Sequence, residues 1–277
     1  MTTASTATAS TATASGATAS AVSTTPGRGL VRLGLLHTRY LLLETVRVPM
    51  AVIGPIVFPA LSFAFFILPQ RGLVENPTGA AQAVIQLMVF AVMVNALFSY
   101  GLNISQAREA PWEPYLRTLP APAGARILGQ VLSVGLIGVL ALVPLFLMGA
   151  LFTEAHADAA GIALGFVALA LSSLPFVFAG IAIGYALPFK AAIAVIQIVM
   201  FGLAFAGGLF LPPMMFPDWL DTVSRFLPSR EARELVIWAV QGGEVPLLEL
   251  VGAAVWTVLL LAVALVLYRR DEGRRYR

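Results

Sequence analysis

The chain has 277 residues, of which 59% are hydrophobic and only 11% charged, with a mean hydropathy of +0.88. A soluble domain carries roughly a quarter charged residues, so a water-solvated globule is excluded and lipid must solvate much of this chain. Its formal charge of +3 sits at helix ends rather than in a continuous basic patch, which argues against a nucleic-acid partner; without cysteine there is neither a disulfide nor a thiolate metal site.

Residues 1–27 repeat TATAS at Thr6–Ser10 and Thr11–Ser15 and GATAS at Gly16–Ser20, a composition with almost nothing to bury and expected to stay disordered. No basic residue precedes Arg28 and no apolar h-region follows, so a signal peptide is not expected. Over 29–47, Arg28, Arg32, Arg39 and Arg47 share an arc of roughly 100° at helical periodicity, with Leu33, Leu36, Leu41 and Leu43 around the rest. That pattern fits an amphipathic helix lying at the interface, or a charged flank that orients the first span. Six apolar stretches follow at about 50–68, 80–102, 127–151, 161–187, 191–211 and 248–268, each near the ~20 residues needed to cross a bilayer; Glu249, at the outer end of the last, is their sole Asp, Glu, Lys or Arg. The expected fold is an all-α integral membrane protein of six spans. It divides into a 1–27 tail, a 28–270 membrane domain and a basic 271–277 tail.

The loop 103–126 mixes Arg108, Glu109, Glu113 and Arg117 with Trp112, Tyr115 and Leu116. Arginine and aromatic residues together are frequent interface anchors, although Trp and Tyr also rest in headgroup regions. The segment 211–247 is too long and apolar for a simple loop. Pro217 predicts a short helix over Asp218–Phe226, and Ser229 predicts a capped second helix to about Val240, closed by Gly242 and Gly243. These two helices read as a gate or as a packing cap.

With the N-terminus inside, 13 of the 17 basic residues fall on inner segments and only Arg71, Arg225, Arg230 and Arg233 on outer ones, which places both termini in the cytoplasm. Within the spans the polar residues are neutral, among them Gln86, Asn95, Ser99 and Gln197 as candidates for lining a cavity. Interhelical hydrogen bonding is the plainer reading for them. Ion-coupled transporters place titratable or ion-coordinating groups at membrane depth, and these spans hold no charged residue there, Glu249 standing at the very start of the last. No GxxxxGK[ST] loop, GxSxG or HExxH is present, and the two histidines, His37 and His156, fall on opposite faces of the membrane. Neither catalytic residues nor a bound metal or cofactor are expected. Gly161/Gly165 and Gly180/Gly184 carry GxxxG spacing, a signal for close helix packing.

The stretch GGLFLPPMMFPDWLDTVSRFLP from Gly207 to Pro228 resembles the permease subunits of ABC type-2 transporters, including drug exporters of the daunorubicin-resistance kind. AREAPWEPYLRTLPAPAGARILGQ, from Ala107 to Gln130, is similar to that family's loop after the second span; Pro212 and Pro213 depart from its usual pattern. The resemblance covers about 28–270. It implies a multi-pass permease of a bacterial cell membrane that pairs with a second permease, identical or homologous, and with two separate ATPase subunits that hold the ATP. By the same resemblance the ATPase would meet Arg32, Arg39, Arg108, Glu109, Trp112, Glu113, Tyr115 and Arg117. An outer gate would involve Phe210, Pro217, Trp219, Phe226 and Pro228. The implied activity is efflux of a hydrophobic or amphipathic solute such as a drug or antibiotic, with a lipid or glycan as another cargo class. A secondary transporter and a non-transporting membrane scaffold are the alternatives.

Overall fold

Prolines and short polar side chains set where the helices begin. The computed structural model describes residues 26–47, 49–111 and 123–274. Nearly all of the predicted tail, together with Trp112, Glu113, Tyr115 and Arg117, lies outside the described residues. The chain runs through α1 (Pro26–Arg47), α2 (Pro49–Phe66), α3 (Arg71–Val74), α4 (Pro77–Glu109), α5 (Ala123–Phe152), α6 (Ala159–Ser172), α7 (Leu174–Ala186) and α8 (Phe189–Ala206). A 3-10 turn at Pro213–Met215, α9 (Asp218–Ser224), α10 (Pro228–Gln241) and α11 (Leu247–Arg274) follow. At the head of α4, Pro77 takes the first turn and Asn76 Oδ1 accepts from Gly79 N at 3.1 Å; Asp158 does the same for Gly161 N at 3.0 Å ahead of α6.

Among the described residues, five stretches are long and apolar enough to cross a membrane: Pro77–Glu109, Gly129–Phe152, Ala159–Ala186, Phe189–Ala206 and Leu247–Asp271. The first predicted span, 50–68, corresponds to α2, which is 18 residues long and carries no charged residue. The predicted fourth span forms two helices rather than one. Pro175 has no N–H to continue the ladder, and Ser173 Oγ instead donates to Ala170 O at 2.6 Å, so the chain turns at Ser173 before α7 resumes. The second span also runs further than its apolar stretch, because α4 stays helical to Glu109.

α4 is the most buried of the spans and packs against α2, α5, α7, α8 and α10. Its contacts explain the glycine spacing. A Cβ on Gly180 would lie 2.9 Å from Ala96 O, and one on Gly184 would lie 2.9 Å from Gly101 O, so both glycines of that pair let α7 touch the α4 backbone. Gly161 and Gly165 face Val240 of α10 instead, so the two motifs serve different neighbours. α1 packs along the start of α5: Thr38 is buried there, and Gly129 leaves room for the His37 ring. Val31, Leu35, Tyr40 and Val46 on α1 remain exposed.

Turn direction places α3, the 153–158 turn, α9 and α10 at one end of the bundle, called here the wedge end. α1, the C-terminus of α4 and the C-terminus of α11 lie at the other.

Candidate functional site

At the end opposite the wedge, Arg108 is held inside the chain. Its Nε and Nη2 donate to Asp271 Oδ1 at 2.9 and 2.7 Å, and its Nη1 donates to Gly184 O at 2.9 Å and Leu187 O at 3.3 Å. One guanidinium thus satisfies orphan carbonyls at the end of α7 while pairing with α11. Glu109 Oε1 accepts from Phe189 N at 2.9 Å, capping the start of α8. Arg32 and Arg39 are exposed on α1. Of the eight residues that the resemblance places against an ATPase, the structure therefore shows two exposed and two engaged within the chain; the other four lie outside the described residues.

At the wedge end, α9 follows Pro217 as expected and α10 forms close to the predicted second helix, but that helix starts differently. Pro228 occupies its first turn, Leu227 is its N-cap, and no side chain caps it. Ser229 is free to donate instead to Leu203 O of α8 at 2.8 Å, and it packs on Gly207, where any Cβ would collide with its hydroxyl. Gly242 and Gly243 close α10 at φ +75° and +110°, conformations that suit glycine.

The five gate candidates separate into two groups. Phe210 packs between Phe90, tilted with ring centroids 4.7 Å apart, and Phe205, edge-on at 5.0 Å, and Pro228 is buried. Trp219, at 69% exposed, and Phe226 lie on the surface after Pro217, the N-cap of α9; Phe226 O accepts from Trp256 Nε1 of α11 at 2.9 Å. A short apolar helix end is thereby tied to the last span while its neighbouring ring stays uncovered.

α10 carries charges that sequence reasoning passed over. Its face against the spans holds Glu231, 2% exposed, and buried Arg233. With its amide oriented to accept, Gln86 Oε1 of α4 takes hydrogen bonds from Arg233 Nη2 at 2.9 Å and Nε at 2.8 Å. Glu234 pairs with Arg233 Nη1 at 2.6 Å and with Arg230 Nε at 2.8 Å, and Asp221 of α9 stands 3.6 Å from Arg230. Burial lowers the Arg233 pKa, Glu234 opposes that, and Arg230 adds to it. Glu231 Oε2 has no hydrogen-bond partner, and its carboxyl packs on Gly252 of α11. Burial, then the charge of Glu249, pushes its pKa up from 4.5 to about 7. The available signal was the SREARE run itself, where Glu and Arg alternate at helical spacing on a helix that also carries Ala232, Leu235 and Val236.

The neutral polar residues fall into distinct settings. Asn95 Nδ2 donates to Val134 O at 3.4 Å and its Oδ1 accepts from Ser99 at 3.2 Å, both joining helices or turns rather than facing open space. Gln197 lies exposed midway along α8, beside exposed Ile198 and Phe201. A cavity of about 360 Å³ lies between α4, α5, α6 and α10, under the turn holding exposed His156. His156 Nδ1 donates to Glu154 O at 2.6 Å. Among the described residues no group of acidic and histidine side chains is arranged to hold a metal.

Long apolar helices packed through glycines, with an amphipathic wedge of two short helices inserted among their ends, define a multi-pass membrane protein. The family described as ABC-2 type transporter matches residues 35–240, and the chain belongs to that family. It is similar to the Bacillus subtilis (strain 168) protein named "Putative transport permease YvfS", at 21% identity over 223 residues, which cover 80% of this chain and 91% of that one. Membership points to a transporter rather than an enzyme.

Proposed function

We propose that this chain is the membrane subunit of an ATP-driven exporter, moving a hydrophobic or amphipathic solute with ATP hydrolysed on a separate partner. The family match over residues 35–240 carries this reading. The absence of a GxxxxGK[ST] loop from residues 1–277 is consistent with ATP being held on a separate subunit. Two ATPase subunits would engage the α1 end, where Arg32 and Arg39 are exposed, together with the 112–117 segment. α2 serves as the sixth span, both termini face the cytoplasm in a bacterial membrane, and the wedge faces outward.

Gln197 supports pairing with a second permease. A carboxamide in mid-span is poorly solvated by lipid, and a neighbouring helix would satisfy it. The solute, a drug or antibiotic in the first instance, matches the uncharged spans. The wedge acts as the outer gate, with Trp219 and Phe226 as its uncovered rings.

Affinity purification of the tagged protein from its own membrane tests the assembly. A stoichiometric ATPase whose hydrolysis responds to candidate drugs supports the reading, and loss of that ATPase from Arg117→Glu locates the contact. Recovery of the permease alone, under conditions where known complexes survive, would sink it.

A further inference from the structure

The cavity at the wedge end has the size and lining of a ligand site. Its walls are Val84 and Met88 of α4, Phe146 of α5, Phe166 and Leu169 of α6, and Val236 of α10. At about 360 Å³ it falls within the range of small-molecule pockets. A volume of that order, with an apolar lining, accommodates an alkyl chain.

Water suits the depth of this space poorly, because a buried water needs two to four polar partners and the polar side chains of the lining, Thr153 and His156, belong to the turn at its mouth. Left empty, the lining would forgo the dispersion contacts that a filled site provides. A suitable occupant is close by. Leu147 and Leu151 of α5 and Leu164 and Val167 of α6 are exposed on the adjoining surfaces, where lipid chains are the solvent. Ala150 and Ala157, small and exposed, stand where the cavity meets the surface.

The mouth chooses the head group. Thr153 Oγ1 already donates to Gly149 O at 2.6 Å and accepts from Ala155 N at 3.2 Å. His156 uses Nδ1 on Glu154 O, which leaves Nε2 of the neutral ring as an acceptor for a hydroxyl. Glu154 and Asp158 are exposed in the same turn and disfavour an anion there.

We propose that this cavity binds the alkyl chain of a neutral single-chain amphiphile, drawn from the leaflet at the wedge end with its hydroxyl head at His156. Nothing in the site requires ATP or a second subunit, so it stands or falls apart from the transport reading.

The probe is a monoacylglycerol with a diazirine on its chain, offered to the purified full-length protein in phosphatidylcholine nanodiscs. Saturable labelling of peptides holding Met88, Phe146 or Phe166, competed by unlabelled monoacylglycerol, is the expected result. Ala150→Phe, which fills the mouth, abolishes that labelling, whereas Ala194→Phe on the exposed face of α8 leaves it unchanged. Should Ala150→Phe fail to fold, Ala157→Trp closes the mouth from the exposed turn with the same expected loss. Labelling that never saturates, or that spreads over Leu151 and Val167 and ignores both mouth variants, overturns the proposal. Equal labelling by the matching fatty-acid probe overturns the preference for a neutral head.

Discussion

Glu231→Gln removes a titration that the packing of α10 on α11 imposes on stability. The carboxyl is 2% exposed, lies on Gly252, and has Glu249 as its acidic neighbour; Arg230, Arg233 and Glu234 share its own helix. Because its pKa rises from 4.5 in the unfolded chain to about 7, the folded state holds the proton more tightly. Its contribution is therefore fully present below pH 4.5, declines as the pH rises, and is lost beyond about 7. That interval is worth about 3 kcal/mol at roughly 1.4 kcal/mol for each pH unit. For a chain of this size it amounts to a fall on the order of 10 °C in Tm, taking a few degrees for each kcal/mol. Other groups titrate too, so the quantity to measure is the change in Tm between pH 5 and pH 8 in one detergent, wild type minus variant. We expect the wild type to lose more stability than Glu231→Gln over that range. Equal losses would refute the reasoning, and a greater loss in the variant would mean that Glu231 is paired in its ionised form.

Gly252→Ala places a methyl group against the Glu231 carboxyl and should destabilise by about 1–3 kcal/mol; thermal melts should show most of that loss relieved when combined with Glu231→Ala. Arg108→Ala leaves Asp271 buried without its guanidinium and uncovers the Gly184 and Leu187 carbonyls; a loss of about 2–4 kcal/mol is expected by denaturation in detergent, and Asp271→Asn should lose less. Ser229→Ala removes the hydrogen bond to Leu203 O and should cost about 1 kcal/mol, read by the same assay, with α10 otherwise intact. Trp219→Ala, altering a ring that is 69% exposed, should leave the melting temperature unchanged and reduce transport in reconstituted vesicles; an unchanged rate removes the gate.

Run length and apolar composition located the five long apolar helices, because lipid demands about 20 predominantly apolar residues in a row and leaves little ambiguity about where they lie. These could not locate the break at Ser173, since a single proline may either kink a helix or sit in its first turn, and only the packing of α7 on α4 decides. Ser229 illustrates the same limit at a cap. A serine one residue after proline reads as an N-cap, yet its hydroxyl donates to a carbonyl 26 positions back, on α8, that also accepts from Gly207 N. Arg108 was legible as a functional type of residue at an interface; its actual partner, Asp271, is 163 positions away, a distance over which no local pattern speaks. The family, in contrast, was readable from the Gly207–Pro228 stretch, where prolines and aromatics fall at fixed intervals.

The distribution of charge in α10 bears on how such a wedge works. A short helix bearing Arg230, Glu231, Arg233 and Glu234 is expensive to seat among apolar span ends, since each ion sheds water on burial. Gln86 and Glu234 recover part of that for Arg233, and Glu234 and Asp221 for Arg230, whereas Glu231 Oε2 has no hydrogen-bond partner and its carboxyl lies on Gly252 under the charge of Glu249. Apolar side chains at these positions would hold α10 in place more firmly, without any dependence on ionisation. The actual residues leave the α10–α11 contact poised near neutral pH while the α10–α4 contact through Arg233 stays fixed. If the wedge moves during transport, α11 is therefore the side on which it should part, and a disulfide between cysteines placed at Glu231 and Gly252 should block transport while one between positions 86 and 233 should not.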